Sequence, residues 1–208
     1  MNYWQLRNQF YDLVCFNVNQ VYAWYPDFDK NNLTRWTKQK LLVKLRNAWY
    51  SFPEYMKTSN IQYFVSNKIY SPSYVSLHSA LAFYGIIPEA IVRTTAVSTL
   101  KGTNFENPFG YFSYQKILPS LMFGYEQKSF LGKHSLLFAT PEKAILDLFY
   151  LYPFYNNENE VRELRFDEDF MQTYLNIERL NEFTEKFHSK AIQHRVNLLL
   201  KIYDLCSI

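Results

Sequence analysis

The sequence predicts an α+β protein in two parts: a small basic module over residues 1–53, then a mixed α/β domain with a helical tail over residues 54–208. Three observations carry this reading. Residues 1–52 hold seven Lys/Arg against three Asp, a net of +4, while the whole chain carries +3, so the remainder is near neutral. The hydrophobic period changes from helical to two near Gln39, which puts helices before a β-hairpin. Beyond Pro53, a β-branched and aromatic middle is followed by helical stripes to the end. Hydrophobic residues at 48% against 20% charged argue for a packed core and against disorder. Aromatics, at 19%, are spread along the whole chain, so most are read as core and strand residues rather than as a base-stacking platform.

Tyr3, Leu6, Phe10 and Leu13 recur at helical spacing and predict a first helix over 3–13. Asn17 is placed to cap a second, Val18 to Tyr25, with Val21 and Trp24 inward and Pro26 at its end. Asp29 caps a third, Lys30 to Lys38, with Leu33 and Trp36 in the core. Leu41, Val43 and Leu45 then alternate with Leu42, Lys44 and Arg46, a strand. Arg46-Asn47-Ala48 offers a turn, with Asn47 the residue best suited to positive φ. Residues 49–52 return antiparallel, and Leu33, Trp36, Val43 and Leu45 are expected to form one core. Three helices and a hairpin in about fifty residues is the order of a winged helix-turn-helix.

Residues 54–60 look like a linker. A short helix is expected over Ile61–Ile69 and a clearer one in "SPSYVSLHSALAFYG", capped by Ser73 or Ser76 and ended by Gly85. "AIVRTTAVSTL", from Ala90, reads as a strand. Further strands are expected at 103–106, 110–117, 121–126 and 135–139, with a hairpin turn at Gly132-Lys133. "TPEKAILDLFYLYP" is the best-marked helix: Thr140 at the N-cap, Pro141 at N1, Glu142 in the first turn, Pro153 closing it. In the tail, Ile177, Leu180, Phe183 and Phe187 make one stripe, and Ile192, Val196, Leu199 and Tyr203 another.

The basic module is the candidate nucleic-acid surface. The exposed side of the third helix would carry Lys30, Asn31, Asn32, Thr34, Arg35 and Lys38, residue types that hold guanine, adenine, thymine methyl or phosphate. Lys44 and Arg46 would sit on the hairpin, the wing, near a phosphate or the minor groove, and Lys40 would be a backbone contact. The plainer alternative is a solvated helix and an edge hairpin kept soluble by lysine. Glu142, Lys143 and Asp147 admit a reading as a metal-dependent nuclease centre. The plainer one is a helix first turn and a polar helix position, since residues five apart do not face each other. There is no phosphate loop, nucleophile elbow or metal-ligand spacing, and no cofactor is expected. Cys15 and Cys206, at opposite ends, are expected to be reduced, buried thiols. No secretory signal or bilayer-length apolar run is present, so a cytoplasmic protein without a membrane partner is expected.

A basic helix–hairpin module, then "SPSYVSLHSALAFYGIIPE", "VRTTAVST", "NPFGYFSYQKI" and "ATPEKAILDLFYL", resembles the AbiEi-type antitoxins of bacterial type IV toxin–antitoxin systems. The resemblance runs from about residue 3 to about residue 165 and is most specific at Pro72–Glu89 and Ala139–Leu151. It implies a non-enzymatic protein. Its winged helix would bind inverted repeats in its own promoter, and its second domain would serve antitoxicity against a nucleotidyltransferase-like toxin without a stable complex. Relatives carry Gly in the wing turn where this chain has Arg46-Asn47-Ala48. The alternatives are a stand-alone regulator with a ligand-sensing or dimerising second domain, or the nuclease.

Overall fold

Helix α1 (Tyr3–Phe10) starts at Asn2, whose side chain accepts from the Gln5 N–H while Gln5 Oε1 accepts from the Asn2 N–H. This reciprocal pair satisfies two otherwise orphaned donors. The computed structural model describes residues 1–89 and 91–205. Ala90, at the start of one predicted strand, and Cys206 lie outside the described residues.

The first helix is shorter than expected. It gives way to a 3₁₀ turn over Tyr11–Leu13, and Leu13 leaves the buried stripe. Cys15–Asn17, read only as a break, is strand β1. Asn17 then caps α2 (Val18–Trp24) through a second reciprocal pair with Gln20. Trp24 does not point inward: it is 59% exposed. Val18 and Val21 fill the inward side of this short helix, and Phe28 from the next loop packs on Trp36 in its place. Helix α3 (Asn31–Lys38) begins where Asp29 Oδ1 accepts the Asn31 N–H at 2.9 Å.

Strands β2 (Val43–Arg46) and β3 (Trp49–Ser51) complete an antiparallel sheet of order β1-β3-β2. Alternation along these strands divides their side chains between two hydrophobic clusters. Phe16 and Tyr50 join Leu6, Phe10, Leu33 and Trp36 beneath the helices. Cys15, Val43 and Leu45 face the other way, into the large cluster built by the rest of the chain. The single core expected of Leu33, Trp36, Val43 and Leu45 is therefore two.

Residues 54–60 are not a free linker. Pro53–Lys57 form a 3₁₀ turn, Tyr55 packs against both clusters, and its hydroxyl donates to the Tyr11 carbonyl at 2.9 Å. Helix α4 (Ile61–Ile69) follows. The next stretch splits into strand β4 (Ser73–Val75) and helix α5 (Leu77–Phe83). Then come β5 (Arg93–Ser98), β6 (Thr103–Asn107), β7 (Gly110–Lys116), β8 (Tyr125–Phe130) and β9 (His134–Ala139). The strand expected at 121–126 starts late, because Pro119 nucleates a 3₁₀ turn and Gly124 sits at φ +68°. A Cβ at Gly124 would lie 2.7 Å from the Phe183 ring, so glycine is also needed for close packing there.

These strands make one mixed sheet, ordered β6-β7-β5-β4-β9-β8. β4 runs parallel to β9 and antiparallel to β5, while β5 runs parallel to β7. The long helix α6 (Pro141–Leu151) is capped by Thr140 and packs against α5. Helices α7 (Glu158–Arg162), α8 (Glu168–Thr173), α9 (Ile177–Glu185) and α10 (Lys190–Ile202) form the tail, with α9 and α10 against α6. Among the described residues no helix is long and apolar enough to cross a membrane. Fully burying side chains such as Phe64, Phe112, Phe138 and Phe149 contributes roughly 1.5–3 kcal/mol each.

Candidate nucleic-acid interface

Helix α3 is amphipathic in the simplest way. Leu33 and Trp36 are buried, and Asn31, Thr34, Arg35 and Lys38 are exposed on the other side. Asn32 is half-buried, and its Oδ1 accepts from Arg35 Nη2 at 2.8 Å, which holds the guanidinium along the helix surface. Lys30 is exposed just before the helix. Arg35 and Lys38 lie in the last turn, where positive charge also complements the carbonyl end of the helix dipole.

Past the helix, Lys40 takes φ +59° and the chain turns into β2. Lys40 and Lys44 then line one groove of ≈ 440 Å³ with Thr37, Val43, Met56 and Pro108. Lys30, Arg35, Lys38, Lys40 and Lys44 make no ion pair among the described residues, whereas Arg7 in the same module is paired with Glu54 at 2.9 Å. An exposed cation without a carboxylate neighbour is free to meet an external anion.

Arg46 is placed differently. Lys44 opposes Tyr50 and Arg46 opposes Trp49, so Leu45 is an extra residue in β2. Such a bulge changes which side the following residue takes. Arg46 is turned away from Lys44 and lies 4.5 Å from the ring centroids of both Tyr70 and Phe105. The Leu45 carbonyl accepts from Asn107 Nδ2 at 3.0 Å. The simple alternation that would put Lys44 and Arg46 on one side of the wing is thus undone by one inserted residue. Nor does Asn47 take the left-handed conformation of the turn: Ala48 does, at φ +63°, its carbonyl accepting from the Val18 N–H at 2.8 Å. Tyr70, just past α4, and Phe105 and Asn107 on β6 hold the hairpin but carry no sequence signal for that role.

The second candidate set, Glu142, Lys143 and Asp147, does not converge. Lys143 and Asp147 are both 0% exposed and pair with each other one turn apart on α6. Asp147 Oδ2 also accepts from the Tyr74 hydroxyl at 2.9 Å and the Ser76 hydroxyl at 2.7 Å. Ser76 precedes α5, yet its hydroxyl is spent on Asp147 rather than on a backbone cap. Burial, then the negative charge of Asp147, raise the Tyr74 phenol well above its ordinary range. The Lys143 ammonium lies 4.8 Å from the Phe123 ring centroid and 5.0 Å from that of Phe187. Glu142, 2% exposed, points to α9 instead, where it accepts the Asn176 N–H at 3.1 Å with Arg179 3.7 Å away. The three groups fasten α6 to β4 and α9, and none of them opens to solvent.

No family model matches the chain, and no curated protein matches it.

Proposed function

We propose that residues 1–53 are a winged helix-turn-helix that binds double-stranded DNA. On this reading the protein is the antitoxin of a toxin–antitoxin system that represses its own operon and counters a nucleotidyltransferase-like toxin. The observation that carries the DNA reading is the set of unpaired cations running from the exposed face of α3 to β2: Lys30, Arg35, Lys38, Lys40 and Lys44. The order α1-β1-α2-α3-β2-β3 supports it, since a recognition helix followed by a hairpin presents both to one duplex. Asn31, Asn32, Thr34 and Arg35 are the residues for base edges, and the lysines serve phosphates. The antitoxin reading rests on the resemblance in "SPSYVSLHSALAFYGIIPE" and "ATPEKAILDLFYL". It places antitoxicity in the second domain, with no catalytic role for this chain.

The test is a gel shift on the chain's own upstream DNA across a salt series. The double variant Arg35→Ala, Lys38→Ala should bind roughly tenfold or more weakly, with the salt slope reduced by about 2, because two phosphate or base contacts are gone. Circular dichroism should be unchanged, since both side chains are exposed. Wild-type affinity and slope in that variant would remove the DNA reading. Co-expression with a nucleotidyltransferase-like toxin, should one be encoded beside this chain, tests the antitoxin half: growth must recover with the whole chain.

A further inference from the structure

The β6–β7–β5 end of the large sheet has two unlike faces. On one, Phe105, Phe112 and Tyr114 stack together and receive Arg46. On the other, the register sets Asn104 opposite Ser113 and Ser113 opposite Thr95, a row of polar side chains across three strands. Helix α5 packs on β5 at this face and brings His78 to the edge of the row. Tyr152, just past α6, forms the adjoining wall, its ring 5.8 Å from the His78 ring. The space between is a polar groove of ≈ 420 Å³, within the range of small-molecule sites.

Thr95 is spoken for: its hydroxyl donates to the Ser76 carbonyl and accepts from the Ser79 N–H. Ser113 is only 5% exposed and lines the groove between Asn104 and Thr95. Arg93 is exposed. Among the described residues no carboxylate lines the groove; Glu89, paired with Arg165, interacts with His78 at its edge. The groove thus gathers an arginine that is in no ion pair among the described residues beside a half-buried tyrosine and histidine.

We propose that this groove binds a small phosphorylated molecule of mononucleotide type. The Arg93 guanidinium holds the phosphate as a forked donor. Tyr152 offers a flat ring for a base to lie against. The amides of Asn104 and Gln115, each both donor and acceptor, meet the polar edge of the base or the sugar hydroxyls. The site lies on the face of the sheet opposite Arg46, and it does not depend on the DNA reading of α3.

The experiment is calorimetric titration of the full chain with AMP, UMP, adenosine and inorganic phosphate. Wild type, Arg93→Gln, Gln115→Leu and the α3 double variant Arg35→Ala, Lys38→Ala are compared. Saturable binding of AMP or UMP is expected, with inorganic phosphate and adenosine weaker. Arg93→Gln should lower mononucleotide affinity by about tenfold or more, as loss of a charged hydrogen-bond donor does. Gln115→Leu should lower it less, and the α3 variant should bind as wild type. The proposal is overturned if no mononucleotide binds at millimolar concentration, or if binding survives Arg93→Gln. It is equally overturned if adenosine binds as well as AMP, or if the α3 variant loses binding, which would put the nucleotide on the basic face.

Discussion

Ala48 is the residue at which the hairpin turn is most costly. Its φ of +63° brings Cβ close to the backbone, a strain of about 1 kcal/mol that glycine does not have. Ala48→Gly should therefore raise stability by about 0.5–1 kcal/mol in urea unfolding, while Asn47→Gly should give no gain. A loss of stability in Ala48→Gly would mean that the methyl group's packing outweighs the strain. Cys15 shows a different single-residue effect. It is 4% exposed, and burial pushes its thiol up to about 12 against the opposing pull of Lys68. In a chain with Cys206 replaced by Ser, Cys15 should resist DTNB at mildly alkaline pH and react at once in concentrated urea. Prompt reaction of the native chain would contradict its burial.

Helix α6 is the element whose failure would be most expensive. Its inward face carries a lysine and an aspartate that pair with each other, the aspartate also accepting from the Tyr74 and Ser76 hydroxyls. Asp147→Ala leaves the ammonium buried and unpaired, and should cost about 3–5 kcal/mol in urea unfolding. Replacing both partners, Lys143→Met with Asp147→Leu, should recover much of that loss. A near-neutral Asp147→Ala would show that water reaches this helix. The start of α6 was legible because Thr140 and Pro141 act through local chemistry that needs no partner. Strands β1 and β4 were not legible. Each has three residues, too few to display a period, and each is extended because a neighbouring strand pairs with it. Ser76 was readable as a cap from its position, but its hydroxyl answers to Asp147, seventy-one residues away in sequence.

At the scale of the molecule, the two sheets meet through Arg46, Asn107 and the hydrophobic face of β2. The exposed face of α3 was legible, since helical spacing alone separates Leu33 and Trp36 from Asn31, Thr34, Arg35 and Lys38. The position of Arg46 was not, because the bulge at Leu45 depends on how β2 pairs with β3, and nothing local announces it. Arg46→Ala should lower stability by about 1–2 kcal/mol through lost cation–π and stem packing. If the proposed DNA reading holds, its effect on DNA affinity should be small beside that of Arg35→Ala with Lys38→Ala. If Arg46→Ala instead abolished the gel shift at unchanged stability, the guanidinium would have to leave its rings to reach the duplex.

The division of the first sheet between two clusters bears on how the chain is made. Every buried member of the helix-side cluster lies between Leu6 and Phe52, so most of that side can close while the rest is still being translated. Cys15, Val43 and Leu45 then wait on the opposite side, bare, until α4 and the strands of the large sheet emerge to cover them. A fragment cut after Pro53 would keep that adhesive face permanently exposed. Pro53 divides the sequence cleanly, but in the folded chain the oily seam runs through the middle of a sheet.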